Sequence, residues 1–254
     1  VLVQGASAND VVEMVAFDIF SVNDSVSAKD GGSFAGTVGF GAGIASPVTI
    51  NGATPTLTIG DAGAEDAKIV FDGNAQDFHI GLDDSADSLT IGLGSALGTT
   101  SHMVIDSTGA VTKPLQPAFL ATKTSNANNF TIGSQQDVTF TTEVYDQNAD
   151  FASSTFTAPV TGKYYLKCSI YLSGVDTAVD YYAIRIDTSN RVYIKIFNPK
   201  FTADVDFMSM EVSTVADMDA SDTASIQIIQ SSGTAQTDIQ GNASYTYFTG
   251  FLAC

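Results

Sequence analysis

The chain has 254 residues, 44% of them apolar and 15% charged, which is enough for a packed core and too apolar for wholesale disorder. Its net charge is −18, and from Val1 to Thr112 the only cations are Lys29 and Lys68, so the clustered positive charge that nucleic acid or anionic lipid requires is missing. No run of about 20 apolar residues reads as a membrane-spanning helix, and two cysteines, Cys168 and Cys254, are too few for a disulfide scaffold or a cysteine-rich metal site.

Three textures follow one another. Residues 1–30 open with Val1 inside a strand-like run, and Asp10 to Phe20 (DVVEMVAFDIF) is apolar without helical periodicity. This stretch reads as the last strand of an upstream module, followed by the polar linker SVNDSVSAKD. The linker leads into residues 31–112, where apolar segments of about four to six residues alternate with Gly, Asp and Asn, the residues that tolerate turn dihedrals. The segments are SFAGTVGF, PVTI, TLTIG, AKIVFDG, DFHIGLDD, SLTIGLGS and SHMVIDSTGAV. LTIG recurs at Leu57–Gly60 and Leu89–Gly92 without a strict period, so no solenoid is implied.

A strand of four residues offers about two side chains to each face, and an isolated hairpin is marginal in water. A stretch built this way needs partners. Three identical chains around one axis would set each apolar row against its mates and leave no free sheet edge. A β-rich trimeric stem is therefore expected over residues 31–112, with a self-contained small β domain as the alternative.

Thr112 to Leu120 (TKPLQPAFL) carries two prolines in four positions and marks an extended, semi-rigid connector. Residues 113–254 have longer, more regular strands. They are expected at Ala118–Thr122, Val138–Val144, Phe156–Ala158, Lys163–Leu172, Tyr181–Ile186, Arg191–Phe197, Asp206–Val212, Ala224–Ile229 and Tyr245–Leu252, with turn chemistry in SIYLSG and IDTSNR. About nine strands in one domain argue for a sandwich or jelly roll. The fold class is all-β.

Phe156 to Leu166 (FTAPVTGKYYL) and the terminal YFTGFLAC resemble the complement-type, C1q and tumour-necrosis-factor-like, globular head. Phe156, Pro159, Gly162, Tyr164, Phe248, Gly250, Phe251 and Leu252 fit its spacing, and PAFLA and VTF resemble its opening strands. Leu166 and Cys168 stand where members usually carry aromatics. The resemblance covers Pro117 to Cys254 and implies a jelly-roll trimer. Phe156, Tyr164, Phe248 and Phe251 are then either core or three-fold interface, each able to bury ~150–250 Å². The N-terminal part is similar to marine tailed-phage structural proteins, most specifically in FDGNAQDFHIGLDDSADSLTIGLG. That likeness also implies trimerisation.

Catalytic chemistry has little to work with. His79 and His102 are the only histidines, no Gly–x–Ser–x–Gly elbow occurs, and no His pair has ligand spacing. GLGSALG at Gly92–Gly98 is followed by a strand-like run and not a helix, so it reads as a turn. Asp72, Asn74 and Asp77, then Asp83, Asp84 and Asp87, are turn carboxylates and amides whose alternative role is Ca²⁺ binding or paired-carboxylate glycan cleavage. Cys168 reads as a small buried hydrophobe, with a bond to Cys254 left open.

The expectation is a non-enzymatic, homotrimeric phage tail fibre or other virion appendage, without cofactor, on an extracellular particle. Its head would attach to a host-surface receptor or glycan, and its other partners would be virion proteins, not nucleic acid or membrane. A secreted or cell-surface adhesive protein with the same head is the alternative, and a glycan depolymerase the more distant one.

Overall fold

The computed structural model describes residues 48–254. The strand expected at Asp10–Phe20, its linker and SFAGTVGF lie outside the described residues. The described part is all-β. Its sole helical turn is a 3-10 turn at Asp84–Ala86, where Asp83 accepts from the Ala86 N–H and Asp87 closes the turn with φ 48°.

Val48–Ile50 and Leu57–Gly60, expected as strands, are not strands. Pro55 lacks a ladder donor, and Gly60 and Ala62 take φ 99° and 68°, which no strand can hold.

Five strands then form an antiparallel meander: β1 Ala67–Phe71, β2 Phe78–Asp83, β3 Ser88–Leu93, β4 Ser101–Ile105 and β5 Val111–Thr112. Register explains its two faces. Ile69, Ile80, Ile91 and Met103 sit opposite one another across four strands, and Leu82, Leu89, Ile105 and Val111 form a parallel row. Because side chains alternate, these apolar rows fall on one face. The other face carries Lys68, Val70, His79, Gly81, Asp83, Ser88, Thr90, Gly92 and Val104, and the turn after β3 folds over it. Gly94 accepts from His79 Nδ1 at 2.8 Å, and a Cβ on Gly98 would meet Asp83 Oδ2 at 2.8 Å. The small polar face is thus covered, burying His79, Asp83, Ser88 and Thr90. The apolar face is the open one: Ile80, Leu93, Met103 and Ile105 are half-buried on it, and its exposed residues run from Ile91, 39%, to Phe71, 61%.

Twelve more strands build a sandwich: β6 Ala118–Thr122, β7 Gln135–Asp137, β8 Thr142–Asp146, β9 Phe151–Ala152, β10 Thr155–Thr157, β11 Gly162–Val175, β12 Tyr182–Thr188, β13 Val192–Phe197, β14 Val205–Met218, β15 Thr223–Gln230, β16 Asp238–Ile239 and β17 Tyr247–Leu252. One sheet runs β13-β12-β15-β10-β9 with β7 on β15. The other runs β14-β11-β17-β6-β8 with β16 on β11. The strands pair antiparallel throughout both sheets, giving a jelly roll.

Between the sheets lie Phe119, Phe156, Tyr164, Leu166, Ile170, Ile184, Ile226 and Phe248, all buried. Phe119 stacks on Phe151 and Phe156 at 4.9 and 4.8 Å and meets Phe248 edge-on at 4.9 Å. Tyr164 donates its hydroxyl to the Val160 carbonyl at 2.7 Å, which satisfies its one polar atom in the core.

Two strand readings need correction. Val138–Val144 is not one strand: β7 pairs with β15 in one sheet and β8 with β6 in the other, so pairing breaks where the chain changes sheets. Val138 and Phe140 are still buried there, and Phe140 donates its N–H to Ser154 Oγ. SIYLSG is not a turn. Ile170 and Leu172 continue the buried alternation of β11, and packing overrides the turn preference of Ser and Gly. Only Gly174, at φ 63°, drops out of the ladder.

Candidate functional site

Strand β11 fixes the geometry of the second sheet. Tyr164, Leu166, Cys168, Ile170 and Leu172 point into the core, so Tyr165, Lys167, Ser169, Tyr171 and Ser173 must point out. The outward residues gather two aromatic clusters. Near the C-terminus Tyr165 faces Phe251 on one side and Val215 on the other, with the two rings 5.3 Å apart. Toward the far end of β11, Tyr171 stacks on Phe207 at 5.3 Å and meets Tyr245 at 5.0 Å. Between them lies a polar band where Lys167 pairs with Glu211 at 3.3 Å.

Of the four aromatics expected as core or interface, Phe156, Tyr164 and Phe248 are core, whereas Phe251 is 47% exposed on this outer face. The partners of Phe251 were missed in the sequence. Their signal was present in alternation, since Tyr165 and Val215 occupy the out positions of strands whose in positions are plainly apolar.

A second apolar patch lies on the opposite sheet. Edge strand β13 pairs only with β12, and its outward residues Val192, Ile194 and Ile196 are exposed. An apolar edge strand of this kind calls for cover.

The end of the sandwich away from the connector carries the loops after β11, β13 and β15. A buried polar network braces the first and last of these. Asp176 accepts from the N–H groups of Ala178, Thr234 and Ala235, and its own N–H donates to the Tyr182 hydroxyl at 3.1 Å. Burial pushes the Asp176 carboxyl up, but the Ala235, Ala178 and Thr234 N–H groups outweigh it and hold the carboxyl below its usual range. Gln230, also buried, accepts from Thr237 N–H and donates to the Ala235 carbonyl. The loops after β11 and β15 are therefore tied to each other.

At the other end the connector Lys113–Pro117 is tied down. Gln147 donates to the carbonyls of Lys113 and Pro114, Asn148 to that of Leu115, and Gln116 to that of Leu252. Beside it is a cleft of about 650 Å³ whose lining includes His102, Leu115, Asp150, Val160 and Cys254. Burial, and then the neighbouring Asp146 carboxylate, push the Asp150 carboxyl up.

The acidic residues of the five-stranded sheet do not converge. Asp72 is exposed, Asp77 accepts from Gly73 N–H at 3.2 Å, and Asp84 donates its N–H to Asp66. Asp83 is occupied by Ser85 Oγ at 2.7 Å and the turn N–H of Ala86. Among the described residues, no three His, Cys, Asp or Glu side chains are placed to share a metal ion. His79 and His102 lie on β2 and β4, His79 buried with only Nδ1 hydrogen-bonded. Cys168 is buried and free, and Cys254 is exposed and free.

The C1q domain model matches residues 118–253, more than half of the chain. The chain belongs to the C1q domain family. The matched stretch runs from β6 to the residue after β17, so the C1q domain accounts for the whole sandwich. Among solved structures, the globular domain of zebrafish complement 1qA is similar at 20% identity and a TM-score of 0.41, covering 55% of this chain and 98% of that one. Murine APRIL at pH 8.0 is similar at 11% identity and a TM-score of 0.40, covering 54% and 98%. No curated protein sequence matches the chain.

Proposed function

We propose that the chain is the subunit of a homotrimeric binding protein whose C1q domains assemble through the outer face of the β11 sheet and the β13 edge. Domains of this family typically form homotrimers and are generally binding or structural proteins, not enzymes. The observation that carries the reading is the pair of unlike apolar patches left bare on a domain whose core is already filled. A closed three-fold ring uses a head-to-tail interface, so each subunit must offer two different surfaces. Phe251 with Tyr165 supplies one, and Ile194 with Ile196 the other.

Within that reading, the chain acts as a phage tail fibre or other virion appendage, on an extracellular particle. The head loops braced by Asp176 meet a host-surface receptor or glycan, and other virion proteins hold the opposite end. Support comes from the likeness of residues 71–94 to such virion proteins. Binding would be multivalent, since three heads per fibre raise avidity without strong single contacts. A second reading, a secreted or cell-surface adhesive protein, shares the same head and the same C1q membership.

Light scattering tests the assembly. A mass of three chains at micromolar concentration is expected, and a stable monomer overturns the reading. Adsorption tests the role: purified protein added to host cells should compete with particle attachment. Unchanged attachment at saturating protein removes the receptor-binding role.

A further inference from the structure

The five-stranded sheet is inside out for a lone domain. A monomer buries its apolar rows and shows its polar ones, yet here the loop Gly94–Thr100 covers the face of His79, Asp83 and Thr90, while the rows of Ile69, Ile91 and Leu82 stay open. The bare side chains leave on the order of 600 Å² of apolar surface, at the upper end of what soluble monomers tolerate. No charged side chain projects from these rows. Lys68 and Asp83 sit on the covered side, and the other carboxylates lie in turns. In a chain of net charge −18, a face without charges is one that copies can share without mutual repulsion.

We propose that this open face packs against the same face of two further copies of the chain, so that three sheets enclose a common apolar core. The idea rests on the trimeric reading of the head. The connector explains why a second copy is the occupant. Lys113–Pro117 reaches at most about 20 Å and is hydrogen-bonded to its own C1q domain, so the sheet cannot wander from the head. Three assembled heads would therefore hold three identical faces together at an effective concentration in the millimolar range. Each row then meets its symmetry mates, and Ile80 and Ile91, at the middle of the middle row, lie nearest the axis.

Cysteine substitution in the full chain tests this. In a Cys254→Ser background, which removes the exposed thiol, Ile80→Cys, Leu82→Cys and Ile91→Cys probe the open face, and Lys68→Cys probes the covered side at an exposed position. The expected result is a trimer by light scattering in which the three face cysteines react with maleimide at least ten-fold slower than Lys68→Cys, with at least one forming an interchain disulfide on oxidation. Trimers with freely reactive face cysteines overturn the proposal and leave the head reading intact. Slow reaction with no interchain disulfide at any of the three also overturns it, assigning the cover to another part of the chain, such as residues 1–47. A monomer overturns both readings.

Discussion

Phe248 and Phe251 stand three residues apart on β17 and project to opposite sides of one sheet. Phe248 is fully buried against Phe119, whereas Phe251 is 47% exposed beside Tyr165. The pair therefore separates folding from assembly. Phe248→Ala empties a ring-sized space in a sealed core and should cost about 3–5 kcal/mol. Phe251→Ser leaves the core intact and loses only the half-buried ring's contact with Tyr165 on the outer face, so unfolding of the isolated subunit should change by about 1 kcal/mol. Its effect should appear in the trimer, with dissociation at concentrations where the unmodified protein stays assembled. Denaturant melts and light scattering on both variants check this, and an unfolded Phe251→Ser variant would show that the outer face also stabilises the subunit.

The carboxyl of Asp176 should make the far end of the head acid-sensitive. Backbone donors hold it below its ordinary value, so it contributes stability that is present above the unfolded carboxylate range, about pH 4. That contribution is lost as pH falls through the folded value, because the folded state must then take up a proton that it resists. Asp176→Asn should lower stability at neutral pH by about 1–3 kcal/mol, since an amide cannot accept at both atoms. The gap between the two proteins should close as pH drops toward 3. Parallel melting curves from pH 7 to pH 3 test the sign, and a gap that stays constant with pH would rule the carboxylate out as the cause.

How much of this was legible in the sequence depended on which force decided each element. Alternation in Tyr182 to Ile186 was readable because burial on one face leaves a period of two. The failures came where distant chain intervened. Ser169–Gly174 looks like a turn until β14 and β16 flank it, and Val138–Val144 looks continuous because nothing local reveals that the partner changes from β15 to β6. The aromatics FTAPVTGKYYL and YFTGFLAC announced the C1q domain, but Phe251 could be assigned outward only once Phe248 was seen inward. The bracing of the far loops was not legible at all, since Asp176 and Ala235 lie far apart in the chain and meet only in the fold.

The two thiols should behave as opposites. Burial pushes the Cys168 thiol well up, with the Glu211 charge adding to it, and thiolate is the reactive form. Cys254 is exposed at the chain end. A thiol reagent should therefore titrate one group per native chain and two after unfolding in denaturant. Cys254→Ser should abolish the native reaction, while Cys168→Ala should leave it and cost stability through lost core volume. No native thiol at all would mean that the two cysteines are bonded, which would require β11 and the C-terminus to rearrange.

Gly250 should resist replacement by even the smallest side chain. It sits opposite Leu166 in the β11–β17 ladder and Phe119 in β6, where a Cβ would come within 2.6 Å of Leu166 Cδ2 and 2.9 Å of the Phe119 ring and the Tyr165 carbonyl. A neighbouring carbonyl in a paired strand has nowhere to retreat, and the Phe119 ring is fixed by its stacking on Phe151 and Phe156. Gly250→Ala should then destabilise by about 1–3 kcal/mol through overpacking, even though Ala suits a strand better than Gly does. Relief should come from the other side of the contact. Combining Gly250→Ala with Leu166→Val shortens the side chain that the methyl strikes, and the double variant should be more stable than the sum of the two single effects. Strict additivity in denaturant melts would mean that the backbone carbonyl, and not Leu166, sets the cost.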